Sequence, residues 1–175
     1  ATTVSHAQRG QFLTADQYRD QTFSEALPYQ VLWINKEQRA QIEAILGHRF
    51  RSLRIRYWGR GQQSAWIFEE VGKELPITVG VSVNAQKIVD VSILEYRESR
   101  GGEVRYPFFT TQFKGLSLLS KGDSFGLSGH IDGITGATSS VRASKKAATL
   151  ALFCHQLSPY ANDAENTQQA PCHLP

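Results

Sequence analysis

The chain has 175 residues, lacks methionine altogether and contains only two cysteines and six prolines. It also lacks any apolar run near the roughly 18 residues that a membrane-spanning helix needs, because Lys, Glu or Gly interrupts its most apolar stretches. We therefore expect no transmembrane segment. A hydrophobic content of 41% is enough for one domain with its own core. The length is too short for two domains of ordinary size.

The chain begins with Ala1, Thr2 and Thr3, so the absence of methionine extends to its first position. Such a start is typical of a mature protein after removal of a signal peptide. The product of tag cleavage would look the same. The start of the chain therefore favours an exported protein, and tag cleavage is the alternative.

The two cysteines leave two states open. Cys154 falls in a predicted helix and Cys172 in a predicted tail, so they form either one disulfide in an oxidising compartment or two free thiols. His155 and His173 stand next to them, but the spacing matches no Cys and His arrangement of a metal site. We predict no metal site.

Positive charge is in mild excess, with a net charge of +3 and an isoelectric point near 9.0. Arg54 and Arg56 alternate with Leu53, Ile55 and Tyr57, as on the outer face of a strand. This face is either an ordinary solvated surface or a docking surface for an acidic redox partner. The basic residues do not lie on a predicted recognition helix, so we expect no nucleic-acid partner.

The pattern of the chain predicts an α+β fold, in which helices pack on an antiparallel sheet. Capping boxes that pair Thr14 with Gln17 and Asn35 with Gln38 open two helices. The first is expected to run to about Ala26, and the second to end at Gly47. Alternating β-branched or aromatic residues joined by short turns predict antiparallel strands. These strands are expected at residues 53–58, 65–71, 77–83 and 88–96.

A long helix is predicted over residues 139–157, packed across the sheet with Thr138 at its exposed start. One face of this helix is expected to carry Val141, Ala148, Ala151 and Leu152, and another Arg142, Lys145, Lys146 and Thr149. Residues 1–157 are thus expected to form a single domain that includes the N-terminal helical segment. Residues 158–175, rich in Asn, Asp, Gln and Pro, are expected to form a flexible tail.

A glycine turn full of hydroxyls precedes the long helix, and its sequence over residues 132–140 is Asp-Gly-Ile-Thr-Gly-Ala-Thr-Ser-Ser. Gly133 and Gly136 allow close backbone approach. Thr138, Ser139 and Ser140 fall at the first turn of the helix, where free N–H groups and the helix dipole favour an anion such as phosphate. The alternative is an ordinary N-cap, because Thr and Ser are preferred at that position.

Residues 132–138, Asp-x-x-Thr-Gly-Ala-Thr, resemble the flavinylation motif of the FMN-binding domain family. This family includes flavin-carrying subunits of bacterial sodium-pumping and Rnf-type electron-transfer complexes. The resemblance implies that Thr138 takes FMN through a phosphoester bond. It also implies that a flavin transferase reads Asp132, Thr135, Gly136 and Ala137 when it installs the cofactor.

A second segment is similar to the other signature of the family, a strand that ends in Glu-Ser or Glu-Thr and a glycine loop. It contains Glu98, Ser99, Arg100 and Gly101, and Gln112-Phe113 follows it. The resemblance implies that Glu98 and Ser99 make polar contacts with FMN. Cations that flank the loop, and aromatic side chains beside it, are candidates to lie near the flavin ring, although sheet core is the alternative for each aromatic residue. These candidates are Arg97, Arg100, Arg105, Tyr96, Tyr106, Phe108 and Phe109.

The family resemblance implies an extracytoplasmic electron-transfer flavoprotein that works in the periplasm or on the outer face of a bacterium. We expect a redox carrier without catalytic residues of its own. Its partners would be the flavin transferase and a redox protein, which would be a cytochrome, an iron–sulfur protein or a membrane electron-transfer complex.

Two alternatives remain at the level of the sequence. The same turn could cradle FMN or another phosphate ligand without a covalent bond, as a binding or sensory module. A hydrolase or isomerase could instead use His130, Asp132 and a hydroxyl group, but triads are recognised by geometry that spacing does not supply.

Overall fold

The computed structural model describes residues 9–162 of the chain. Its strands are β1 (Gly10–Gln11), β2 (Gln30–Trp33), β3 (Arg54–Arg60), β4 (Gln63–Val71), β5 (Pro76–Asn84), β6 (Lys87–Tyr96), β7 (Leu118–Lys121) and β8 (Ser124–Leu127). Its α-helices are α1 (Ala15–Phe23), α2 (Lys36–Leu46), α3 (Pro107–Thr110) and α4 (Thr138–Leu157), and short 3-10 helices cover Gly102–Arg105, Thr111–Phe113 and Pro159–Asn162.

Six strands form one antiparallel sheet in the order β1-β6-β5-β4-β3-β2. The α+β fold and the four predicted strands are confirmed, since β3 to β6 occupy those positions and are joined by short turns. The two edge strands, β1 and β2, and the hairpin of β7 and β8 were not predicted. Each of these elements has four residues or fewer, so none offers the alternation that identifies a longer strand.

The two N-terminal helices start at the predicted capping boxes. Thr14 and Gln17 exchange side-chain to backbone hydrogen bonds, as do Asn35 and Gln38. Helix α1 ends at Phe23 rather than near Ala26, because Ser24 adopts a left-handed conformation with φ of 56° and its N–H donates to the carbonyl of Asp20. Helix α2 ends as predicted at Gly47, whose φ is 76°.

Helix α4 packs across β4 and β5 and is buried on most of its circumference. The predicted inner residues are buried, but Thr149 is only 6% exposed and does not belong to a solvated face. Of the predicted polar face, Arg142 and Lys145 are exposed and Lys146 is half-buried. The alanines and serines along α4 keep it close to the sheet, which fixes where the helix starts.

The opposite face of the sheet is covered by α1 over a smaller core that contains Tyr18, Phe23, Trp58, Ala65 and Leu94. Arg54 and Arg56 are exposed, as predicted for an outer face. Their guanidinium groups lie 6.0 Å from the ring centre of Trp33 and 5.7 Å from that of Tyr29, respectively. Leu53 lies just before β3 and is 59% exposed, so it is not one of the inward residues.

The segment after α4 continues as a 3-10 helix over Pro159–Asn162. The Tyr160 hydroxyl lies 2.5 Å from the Gln30 side-chain nitrogen, and its ring covers Gly59. The remainder of the predicted tail, including Cys172, lies outside the described residues. Cys154 is fully buried in α4.

A buried polar chain joins α4 to β4. The Trp66 N–H donates to Ser64 Oγ at 2.7 Å, and Ser64 Oγ lies 2.6 Å from His155 Nδ1. Ser64 Oγ is thus hydrogen-bonded both to Trp66 of β4 and to His155 of α4. The Nε2 atom of His155 is buried and has no hydrogen-bond partner within residues 9–162. Burial lowers the pKa of His155 from 6.5 to about 4.

We predict that His155→Gln makes the free energy of unfolding fall less steeply as the pH is lowered below about 6.5. Between about pH 6.5 and pH 4 the unfolded chain binds a proton at His155 that the folded protein excludes, so stability falls as the pH falls, by at most ~1.4 kcal/mol per pH unit. Urea unfolding of both proteins at pH 7, 6 and 5 measures the difference. His48, whose pKa is raised by a hydrogen bond to the Arg49 carbonyl, contributes with the opposite sign but is present in both proteins. Equal pH slopes would contradict the prediction.

Candidate functional site

The loop after β6 and the turn before α4 line one cleft of about 350 Å³. The turn between β4 and β5 adds Lys73 to its wall. The structure therefore brings together the two segments that the sequence analysis singled out. The lining residues are Lys73, Glu98, Ser99, Arg100, Gly101, Gly136, Ala137, Thr138, Ser139 and Ser140.

The hydroxyl of Tyr96 connects the two segments. It donates to the carbonyl of Arg100 and lies 2.7 Å from Ser140 Oγ, whose hydroxyl donates to it. Tyr96 and Ser140 are 1% and 4% exposed, so water does not compete for these bonds. Burial raises the pKa of Tyr96, which keeps its hydroxyl protonated as a donor.

Gly101 allows the two segments to approach closely. Its φ is +87°, and a Cβ atom built on it would lie 2.5 Å from the Tyr96 hydroxyl and 2.8 Å from Ser140 Oγ. A side chain at this position would separate the loop from the turn. The glycine is therefore required by both its backbone conformation and its surroundings.

Thr138 is the first residue of α4, and it is exposed. The N-cap residue is Ala137, and no side chain of the described residues caps the helix. The ordinary capping role considered for the hydroxyls is therefore wrong. The first helical hydrogen bond runs from the Val141 N–H to the Ala137 carbonyl, which leaves the N–H groups of the first turn without intrahelical partners. Such a helix start is suited to an anion.

Charge in the cleft comes from Lys73, Arg100 and Glu98. Lys73 and Arg100 are exposed. The Glu98 carboxylate accepts hydrogen bonds from the N–H groups of Glu74, at 2.6 Å, and Leu75, at 2.7 Å. These bonds hold the pKa of Glu98 below its ordinary value. Glu98 therefore anchors a neighbouring turn, a role that the sequence analysis did not anticipate.

Three predicted site residues do not line this cleft. Asp132 and Thr135 are exposed, and the backbone of Asp132 forms hydrogen bonds of 2.7 Å and 3.3 Å with the Gln112 side chain. These bonds fasten the turn to the segment that follows α3. Tyr106 is half-buried, and the centre of its ring lies 5.3 Å from the Arg105 guanidinium.

The residues flanking the glycine loop are mostly engaged elsewhere. Arg97 forms ion pairs with Glu95 at 3.1 Å and Glu69 at 3.8 Å. The Arg105 guanidinium lies 3.8 Å from the ring centre of Phe12. Tyr96 and Phe109 belong to the core, so the suggestion that they stack on a ligand is wrong, whereas Phe108 is 62% exposed.

A second cleft of about 510 Å³ lies on the other side of Thr138. Its apolar wall is formed by Ile45, Phe125, Leu127, Ile131 and Val141, and its cations are Arg142, Lys145 and Lys146. This surface was not predicted from the sequence, because the hairpin of β7 and β8 was not predicted. The turn Lys121-Gly122-Asp123-Ser124 between two apolar stretches is the signal that could have revealed it.

The residues considered for hydrolysis form an exposed surface pair. His130 Nε2 lies 3.2 Å from Asp132 Oδ1, and both side chains are more than 80% exposed. The Ser128 hydroxyl oxygen accepts the N–H of Ser117 at 2.9 Å. The geometry brings no nucleophile, base and orienting acid into one chain of hydrogen bonds, as a triad would require.

The model of the FMN-binding domain family matches residues 72–152. Residues 72–152 belong to the FMN-binding domain family. The matched segment includes Lys73, the glycine loop, the turn before α4 and most of that helix. Searches of the curated proteins and of the solved structures found no match.

The donors of the polar cleft fit the phosphate and hydroxyl groups of FMN. They comprise uncapped N–H groups of the first turn of α4, the hydroxyls of Ser99, Thr138 and Ser139, and the cations of Lys73 and Arg100. Phosphate is bound in proteins by these groups. In the described part of the chain, no group of three His, Cys, Asp or Glu side chains could hold a metal ion. No helix between residues 9 and 162 has the length and apolar character to cross a membrane.

We predict that Gly101→Ala destabilises the FMN-binding domain more than Gly115→Ala. Both glycines have positive φ, +87° and +82°, but a Cβ at Gly115 meets nothing within 4 Å. Backbone strain alone costs on the order of 1 kcal/mol, and the overlap at Gly101 would add roughly 1–3 kcal/mol. Chemical denaturation of the two variants measures the difference. Equal losses would show that the loop and the turn do not need this close approach.

Proposed function

We propose that this FMN-binding domain carries its cofactor covalently, through a phosphoester to Thr138, and acts as an extracytoplasmic electron carrier. The observation that supports the covalent link best is the position of the Thr138 hydroxyl. It is exposed at an uncapped helix start, at the edge of the cleft that the two signature segments build together.

The surroundings of the neighbouring hydroxyls favour Thr138 over the others. Ser140 is 4% exposed and hydrogen-bonded to Tyr96, so a transferase could not reach it without breaking the link between loop and turn. Ser139 is half-buried, and Thr135 is exposed but does not line the cleft. Thr138 alone in this run combines exposure with a place on the walls of both clefts.

In the proposed maturation, Thr138 Oγ forms a bond to the phosphorus of an activated flavin nucleotide. The bond from that phosphorus to its leaving group breaks, and the hydroxyl proton passes to a base of the flavin transferase. The N–H groups of the first turn and the cations of Lys73 and Arg100 would then face the negative charge that remains on the phosphodiester.

When bound, FMN supplies one- or two-electron redox chemistry. A phosphoester leaves the flavin ring unaltered, so the surrounding residues would set its potential and the tether would prevent its loss. A covalent bond to FMN is an advantage outside the cytoplasm, because a cofactor released there is diluted and lost. The proposal places the protein in the bacterial periplasm, as a redox carrier rather than a stand-alone catalyst. Its redox partner would be a cytochrome, an iron–sulfur protein or a membrane complex.

We predict that Thr138→Ala abolishes covalent attachment and that Thr138→Ser retains it. The protein is exported together with a flavin transferase, denatured, and examined by intact mass and flavin fluorescence. The wild-type protein should stay yellow and gain a mass on the order of an FMN residue, because the phosphoester survives unfolding. Ser139→Ala is the matched control and should keep the flavin.

Two results would contradict the covalent proposal. Flavin retained by Thr138→Ala would place the bond on another hydroxyl. A wild-type protein that is yellow when native but loses its flavin on denaturation would support the alternative of non-covalent binding, for which the donors of the cleft are equally suited.

We predict that the bound flavin is redox-active. Chemical reduction should bleach its visible absorption, and oxidation should restore it over repeated cycles, because both clefts at Thr138 are open to solvent-borne reactants. Absorption spectroscopy under anaerobic conditions measures this. A flavin that resists reduction, or is released by it, would point to a storage or structural role.

A further inference from the structure

The side chain of Glu98 fastens the turn between β4 and β5 to the glycine loop. Glu98 Oε1 accepts the N–H groups of Glu74 and Leu75 at 2.6 Å and 2.7 Å. The turn itself is closed by the Gly72 N–H, which donates to the Leu75 carbonyl at 3.0 Å. Glu98 is half-buried, and charge-assisted bonds to a carboxylate are stronger than bonds between neutral groups.

The anchored turn also carries Lys73. Lys73 is next to the anchored residues and lines the polar cleft together with Glu98, Ser99 and Arg100. No carboxylate in residues 9–162 lies within 4.0 Å of its ammonium group. The ammonium group thus forms no ion pair with these residues, although its charge is among the causes that lower the pKa of Glu98, after the backbone hydrogen bonds.

A direct contact of Glu98 with FMN is the weaker explanation. Oε1 already accepts two hydrogen bonds, and a carboxylate would repel the phosphate of FMN. An acidic residue in an anion site is explained if it holds a cation in place.

We infer that Glu98 is a positioning residue that anchors the turn between β4 and β5, and that this turn presents Lys73 as a cation of the FMN site. The inference depends on the proposed function, because it assigns Lys73 a role toward the bound cofactor. Arg100 reaches the same cleft from the glycine loop itself, so its charge does not depend on the anchored turn.

The test measures the midpoint potential of the FMN-loaded protein in a set of variants. Lys73→Gln should shift the potential to a more negative value, because a positive charge near the flavin favours the reduced state. Lys73→Arg keeps the positive charge and should keep the potential near that of the wild-type protein. Lys87→Gln is the control, since Lys87 begins β6, just after the turn at the other end of β5, and is exposed. It should leave the potential unchanged.

Two substitutions at Glu98 separate its charge from its anchoring role. Glu98→Gln removes the negative charge but keeps an oxygen that can accept the two N–H groups, whereas Glu98→Ala removes both. The potential of Glu98→Ala should therefore lie below that of Glu98→Gln. The difference in potential should disappear when Lys73→Gln is added to both variants, because the anchor affects the potential only by positioning the charge of Lys73.

The anchor can also be tested without the cofactor. In the unmodified protein, amide hydrogen exchange at Glu74 and Leu75 should become roughly tenfold faster in Glu98→Ala than in Glu98→Gln. Equal exchange would overturn the anchor. An unchanged potential in Lys73→Gln, or a difference between the Glu98 variants that persists without Lys73, would overturn the role of Lys73. A wild-type protein without FMN would instead overturn the proposed function, and the exchange experiment would still test the anchor.

Discussion

The hydroxyl of Tyr96 holds together two segments that are 44 residues apart, counted from Tyr96 to Ser140. Tyr96 is the last residue of β6, and Ser140 lies in the first turn of α4, so this contact sets the distance between the sheet and the start of the helix. Without it, the glycine loop and the hydroxyl-rich turn would be separate surface loops. With it, they are two walls of one cleft. The site is thus formed mainly by loop and turn residues, and the ends of β6 and α4 hold them in place, which keeps its geometry defined.

The position of Thr138 follows from the burial of the helix behind it. Helix α4 is covered on most sides along its length, and small side chains bring it close to β4 and β5. A helix packed in this way cannot slide, so its first residue occupies one place. The start of α4 lacks a side-chain cap, and a cap commonly contributes about 1 kcal/mol to stability. Helices α1 and α2 both start at capping boxes, and a long helix whose start is left open beside them is typical of a functional site.

The sequence allowed the local features of this fold to be predicted, and the tertiary ones only in part. The capping boxes at Thr14 and Asn35, and the strands β3 to β6, could be predicted because each signal lies within a few residues. The role of Glu98 could not, because its partners belong to a turn 23 and 24 residues earlier in the chain. Thr149 looked polar on a helical wheel but is buried, because α4 has neighbours on several sides. The resemblance to the family motif singled out Thr138, whereas helix-capping preferences alone predict an ordinary N-cap there.

Electrostatics connects the two clefts that meet at Thr138. The polar cleft carries Lys73 and Arg100, and the other carries Arg142, Lys145 and Lys146, so a cofactor tethered at Thr138 would lie between two groups of cations. The field of solvent-exposed charges extends over about a Debye length, which is roughly 8 Å at physiological salt. Such a field would favour electron uptake by the flavin and the approach of an acidic redox partner. Under the proposed function, one arrangement of charge would both hold the phosphate and favour the encounter with a partner, in a chain whose net charge is only +3.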